Sequence, residues 1–339
     1  MASPQDWMEV RPQGLYCKPA DTYIDPHVAV PKAIVTHGHA DHARPGHQSL
    51  IATRETIAIM KTRYPDDAPQ TVTDCGYHDE IMLTPDVKCW LAPAGHILGS
   101  AQVVLEYNGQ RVVVSGDYKR HEDPTCEPFE VVPTDVFVTE ATFALPVFSH
   151  PPLEDEVAKL IRSLETFPDR THLLGVYALG KCQRMLLALR QAGYDRPFYL
   201  HGALVKLTEL YQQFGMDFGD WVAVGDLAPA EREALRGHVV LCPPSALADR
   251  WSRSMPDALP IMASGWMQIR ARARQRRVEM GLIVSDHADW EDLLKTVYDT
   301  GAKEVWITHG RVEALQHALR ANGIDAKALE LIGREEEGD

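Results

Sequence analysis

The sequence predicts a mixed α/β protein in which a β-rich domain is interrupted by an α/β insertion. Three observations predict it. Up to residue 145, short β-rich runs alternate with Pro and Gly punctuation, and few helical patterns appear. Near residue 150, strand-like and helix-like segments begin to alternate, as βα units on a parallel sheet do. From residue 280, short apolar runs ending in His or Asp return. The expected parts are 1–145, an insertion over 146–279, and the remainder of the first domain over 280–339.

The elements follow in order. Residues 9–35 read as short strands at a sheet edge. Ala52–Tyr64 has helical periodicity, with Thr53 as its N-cap. Val87–Pro93, Gln102–Tyr107 and Arg111–Ser115 read as strands, the last two joined by the hairpin signal Asn108-Gly109. Val136–Thr139 is a further buried strand. In the insertion, helices are expected over Leu153–Phe167, Lys181–Ala192 and Val205–Phe214. Between and after them come strands at His172–Tyr177, Pro197–Leu200, His238–Cys242 and Leu259–Ala263. The return comprises strand Gly281–Ser285, helix Trp290–Asp299, strand Glu304–Thr308 and helix Val312–Ala321, closed by Asn322-Gly323.

Bulk composition bounds the class. The chain has 339 residues, 45% hydrophobic and 24% charged, as an ordinary globular protein has. No apolar stretch approaches the ~20 residues that span a bilayer, and Met-Ala-Ser-Pro-Gln-Asp-Trp at the start has no signal-peptide pattern. Six scattered cysteines without a Cys-x-x-Cys pair read as reduced thiols, so the expected compartment is the cytoplasm. The net charge of −14 argues naively against a polyanionic partner. Distribution matters more: bound cations would offset acidic groups, and Arg270, Arg272, Arg274, Arg276 and Arg277 crowd one stretch. The closing Arg-Glu-Glu-Glu-Gly-Asp reads as a solvated tail.

The chemistry centres on Thr-His-Gly-His-Ala-Asp-His-Ala, residues 36–43, directly after the apolar run Ala33-Ile34-Val35. Alternate residues of extended chain point the same way, so His37 and His39 can face one metal ion. Asp41 and His42 can face a second. Imidazole and carboxylate are what a zinc-type ion prefers in a hydrolytic site. The bland alternative is a solvated His-rich turn. Further polar residues end apolar strands in the same way. His96, in Ala-Gly-His-Ile-Leu-Gly-Ser, is suited to complete a three-imidazole set. Asp117, after Val-Val-Val-Ser-Gly, can bridge two ions ~3.5–4 Å apart. His309, in Val-Trp-Ile-Thr-His-Gly, would join Asp41, His42 and Asp117 at the second ion. Glu140 and His287 follow two more strands, and Asp25 reads as a carboxylate that orients a ligand His.

This set, His-x-His-x-Asp-His, then Gly-His, Gly-Asp and a late His, resembles the metallo-β-lactamase superfamily. The added Glu140, the insertion and the two late His motifs resemble its β-CASP nuclease branch. Gly-Leu-Tyr-Cys, Ala-Asp-His-Ala-Arg-Pro-Gly-His, Ala-Gly-His-Ile-Leu-Gly-Ser-Ala-Gln and Thr-Glu-Ala-Thr-Phe look like the bacterial ligase-associated DNA exonuclease family. The resemblance spans essentially the whole chain. It implies a four-layer αββα sandwich with an inserted α/β β-CASP domain, and two divalent ions, zinc or alternatively manganese. It assigns His37, His39 and His96 to the first ion, Asp41, His42 and His309 to the second, and Asp117 to both, with Asp25 behind them. Asp41, Asp117, Glu140 and His287 are the implied catalytic residues, the last two as a carboxylate–histidine pair that protonates the leaving oxygen.

The implied activity is DNA exonuclease in repair, with DNA ligase and helicase as partners by family resemblance and no membrane. A His at the last motif, as His309 here, is commoner among RNA-processing members, which makes an RNA nuclease the alternative. A lactone or thioester hydrolase shares the metal loop but normally lacks the insertion. Lys181 and Arg184 at a Gly-preceded helix start can hold a terminal phosphate or be ordinary surface residues. Trp266 can stack on a base or fill the core. Arg270, Arg272 and Arg274 can track phosphates or form a solvated helix face.

Overall fold

Asn108 and Gly109 both take left-handed backbone, φ 53° and 75°, the type I′ geometry that matches strand twist. They join Ala101–Tyr107 to Gln110–Val114, as the sequence predicts. The structure, a computed structural model, describes residues 3–276 and 278–329. It divides into two units: one runs to Ser149 and resumes at His287, and the other is His150–Asp286.

In the first unit, among the described residues, one sheet has six strands in chain order: Met8–Arg11, Gly14–Cys17, Thr22–Ile24, Lys32–Ile34, Ser49–Ala52 and Thr71–Asp74. The other has seven, in the order Asp325–Ala328, Glu304–Ile307, Val136–Thr139, Gln110–Val114, Ala101–Tyr107, Val87–Pro93 and Ile81–Thr84. The sheets share a core in which Leu15, Ile24 and Ile34 meet Leu91, Val103, Leu105, Val112 and Val138. Alternate residues of the same strands, Val104, Val113, Phe137 and Val305, face the other way. They pack on Leu293 and Val297 of helix Trp290–Thr300 and on Leu315 and Leu319 of helix Val312–Ala321. Ile57 and Met60 of helix Arg54–Arg63 cover Ala33, Val35 and Leu50 on the first sheet. Burial on both faces is why these strands read as continuous apolar runs. The layers are helix, sheet, sheet, helix, the αββα sandwich.

The second unit has a six-stranded parallel sheet among its described residues. Its order is Trp221–Ala223, Phe198–Leu200, Val239–Cys242, Thr171–Gly175, Ala258–Ala263 and Met280–Leu282. Its helices include Leu153–Thr166, Lys181–Gln191 and Gly202–Gln213. The last starts at Gly202 instead of the expected Val205, because His201 Nδ1 accepts the Ala203 N–H at 3.1 Å and caps it.

One expectation needs correction, and one strand was not foreseen. The expected return at residue 280 comes later, at His287. Met280–Leu282 pairs with Ile261–Ala263 and completes the second unit's sheet, so pairing overrides the texture that suggested a boundary. Asp325–Ala328, poor in β-formers, is a strand because parallel pairing with Glu304–Ile307 buries Ala326. Among the described residues no helix is long and apolar enough to cross a membrane. Arg277 and the acidic closing residues lie outside the described residues.

Candidate metal centre

Strand Lys32–Ile34 is followed by Val35 and Thr36, which deliver His37 to a buried edge of the sandwich. Asp25 sits opposite in left-handed backbone, φ 44°. Its carboxylate accepts the Thr36 N–H and hydroxyl, each at 2.7 Å, and the His42 Nδ1–H at 2.7 Å. The Thr36 hydroxyl spends its proton on Asp25, so at 3.0 Å it accepts from His37 Nδ1. Both rings are thereby set with Nδ1 protonated and Nε2 left over.

The two Nε2 atoms each lie 3.4 Å from the Asp117 carboxylate. Both are buried without a hydrogen-bond partner. His42 Nε2 is also 3.4 Å from Asp41 Oδ2. His96 Nε2 lies 3.8 Å from Asp117 Oδ2 and 3.0 Å from His39 Nδ1. Candidate ligand atoms therefore form two tight groups that share Asp117: His37, His39, His96, Asp117 and Asp41, His42, Asp117. Buried ring nitrogens crowded around shared carboxylates are unfavourable unless a cation, a bound proton or a metal ion, lies among them. The donor set is that of a divalent ion of the zinc type.

The electrostatics agree. Burial opposes charge on Asp41 and Asp117, but His42, and for Asp117 also His37, outweighs it and holds both carboxyls below the usual range. Burial likewise opposes charge on His42. Asp117, Asp41 and Asp25 outweigh it and raise His42 well above an ordinary imidazole. His96 moves the other way, because burial, reinforced by His37, His287 and His39, keeps it neutral.

A third group, Asp117, Glu140 and His287, adjoins the first two. Glu140 is buried at the end of strand Val136–Thr139. It accepts the Tyr118 N–H at 2.9 Å and the His287 Nδ1–H at 2.9–3.0 Å. The His287 ring lies 4.8 Å from that of His96. His309, in left-handed backbone at φ 60°, brings its ring to 5.4 Å from His42 without entering these three groups.

No family model matches the chain. A protein of Opitutus terrae named "Probable DNA ligase" is 31% identical over 323 residues, covering 93% of this chain and 30% of its own length. The "RNase J-like protein" of Methanocaldococcus jannaschii is 28% identical over 55% of this chain and 51% of its own. "Endoribonuclease ysh1" of Aspergillus fumigatus is 35% identical over 52% of this chain and 24% of its own. The chain thus spans between about a quarter and about half of the length of these curated relatives. In fold it matches a crystal structure of a protein of unknown function from Enterococcus faecalis V583, with TM-score 0.56 and 14% identity over 91% of this chain and 80% of that one.

The chain belongs to the β-CASP branch of the metallo-β-lactamase superfamily. In this β-CASP chain the insertion residues behave differently from the ligand loop. Lys181 and Arg184 are not displayed for a phosphate. Both are buried, and they face Asp286 at 3.8 and 3.1 Å, with Arg184 also donating to Ser285 O at 2.6 Å. Trp266 is not an open stacking platform: it is buried, with the Arg272 guanidinium 3.8 Å above its ring. Arg270 and Arg274 are exposed on the short helix Arg270–Gln275. Sequence reasoning singled out Thr53 only as a helix cap, and Thr56, Ser100 and Lys119 not at all, yet these residues hold the His96 loop. Gly99 O accepts the Thr53 and Thr56 hydroxyls at 2.6 and 3.0 Å, and Ser100 Oγ accepts the His96 N–H at 3.0 Å. The Gly-bounded, Ser-ended composition of that loop was the available signal.

Proposed function

We propose that this chain is a metal-dependent phosphodiester hydrolase that degrades DNA, an exonuclease acting in repair beside a ligase and helicase. The observation that carries the reading is the convergence of three groups on one carboxylate, Asp117. His37, His39, His96 and Asp117 would hold one divalent ion, zinc or manganese. Asp41, His42 and Asp117 would hold the other, with His309 beside His42. Ions bound there would supply an activated water near neutral pH and would stabilise negative charge at phosphorus.

The chain's own residues do the rest. Asp25 and Thr36 hold the ligand tautomers of His42 and His37. Glu140 binds the Nδ1 proton of His287, so Nε2 is the nitrogen that gives a proton to the departing alkoxide. Such general-acid catalysis contributes about 10²–10⁴-fold. The exposed Arg270 and Arg274 supply positive charge for the phosphate backbone.

Support for DNA comes from the relative named a probable DNA ligase, matched over 93% of the chain. The RNase J-like and endoribonuclease relatives, matched over 55% and 52%, favour RNA as the second reading. The test is cleavage of matched, end-labelled single-stranded DNA and RNA with zinc or manganese, beside His287→Ala. DNA shortened stepwise from one end, with RNA spared, is the expected result. RNA cut with DNA spared replaces the first reading by the second. Hydrolysis of a lactone or thioester with neither nucleic acid cut overturns both.

A further inference from the structure

A buried ion pair lies beside the ligand cluster and belongs to none of its groups. Lys119, two residues beyond Asp117, is 1% exposed. Its Nζ donates to Asp123 Oδ2 at 2.6 Å and to the backbone carbonyl of His96 at 3.2 Å. Asp123 is anchored in turn, its Oδ1 accepting the Thr125 N–H at 2.8 Å and hydroxyl at 2.6 Å. The two backbones also touch. Lys119 N–H donates to Ala94 O at 3.2 Å, and a Cβ at Gly95 (φ +72°) would lie 2.4 Å from Lys119 O.

Burying an ammonium and a carboxylate is costly, and apolar side chains of similar volume would fill the space as well or better. What they cannot supply is a donor to the His96 carbonyl. The other bonds of this loop fix different points: Ser100 takes the His96 N–H, and Thr53 and Thr56 take the carbonyl of Gly99. Lys119 holds the carbonyl of the ligand residue itself. Its backbone adjoins Asp117, so one short segment carries the shared carboxylate and also fixes the third imidazole.

We propose that Lys119, clasped by Asp123, is the positioning residue for His96, setting the peptide plane from which the third imidazole of the His37, His39, His96 group projects. This rests on reading that group as a metal site. Lys119 acts through the His96 carbonyl, so its signature is an effect on one metal equivalent and not on the other.

The test strips the full chain with chelator and titrates it with zinc against a chromophoric competitor. It compares the wild type, Lys119→Met/Asp123→Asn, Asp123→Asn and Lys119→Arg, each checked for a cooperative thermal melt. The double variant stays neutral and near-isosteric and keeps acceptors for Thr125. In it, one of two zinc equivalents is expected to bind about 10–100-fold more weakly, the other unchanged. Asp123→Asn alone, which keeps the donor but strips its carboxylate, shifts the same equivalent by less while costing more stability. Lys119→Arg, which keeps the charge but moves the donor, decides the matter should the double variant not fold. A folded variant with both equivalents at wild-type affinity overturns the proposal while leaving the metal reading intact. A wild-type chain that binds no zinc removes the metal reading, and the proposal with it.

Discussion

The two units each bury a cluster of ionisable residues, and the clusters differ in how far they satisfy themselves. In the second unit, Lys181 and Arg184 enclose Asp286, and Arg184 also takes Ser285 O, so cations meet a carboxylate and a carbonyl inside the protein. In the first unit, His37 and His42 keep buried Nε2 atoms without a hydrogen-bond partner, 3.4 Å from Asp117. A self-paired cluster serves the fold. A cluster whose ring nitrogens converge on a shared carboxylate has instead the donor set of a cation site. Motif spacing alone does not separate the two cases, since Gly-Lys181-Cys-Gln-Arg184 reads as a phosphate site until its cations are seen to be buried and paired.

The largest effect that would break this contrast belongs to Asp117→Ala. Cleavage should fall by about 10³-fold or more, with the melt retained; wild-type turnover by the folded variant removes the shared-carboxylate assignment. Next comes Arg184→Met, which leaves Asp286 with a weakened counter-charge. It should cost about 3–5 kcal/mol in urea unfolding while zinc stoichiometry stays the same. Lost zinc without lost stability would reverse the contrast. Gly310→Ala tests the support of His309. Its Cβ would lie 2.1 Å from Ala141 O at φ +71°, so about 1–3 kcal/mol of stability should go, with one zinc equivalent weakened.

The smallest effect is that of pH on metal loading. Because Asp117, Asp41 and Asp25 overcome burial and raise His42, the metal-free fold holds a proton there above pH 6.5. That stabilisation is full below about 6.5 and lost as pH rises through the higher folded value. A metal must displace the proton, so zinc affinity at one equivalent should rise up to about tenfold per pH unit above 6.5, then level off. Affinity independent of pH in isothermal titration would mean that His42 is not a ligand.

Much of the sandwich was legible because its signals are local. The Asn108-Gly109 turn, the Thr53 cap (Oγ1 accepting Thr56 N–H at 3.2 Å) and the apolar runs through Val103–Leu105 and Val112–Val114 each declare themselves within a few residues. Strand Asp325–Ala328 was not legible, since its conformation comes from a partner strand and not from its own side chains. The boundary at 280 was misread for the same reason.

Within the centre the same division holds. The sequence by itself determined the chemistry: four donors in residues 37–42, a His after Gly95, a carboxylate after Gly116, and Glu140 and His287 at strand ends. Ligand identity is covalent and short-range, so it survives as a pattern. The tertiary structure alone decided which donors share Asp117, that His309 stands beside His42 outside the tight groups, that Lys181 and Arg184 are buried, and that Lys119 holds the His96 carbonyl. Those facts depend on ångström distances between segments far apart in the chain, and such distances are set by packing, which no spacing along one segment encodes.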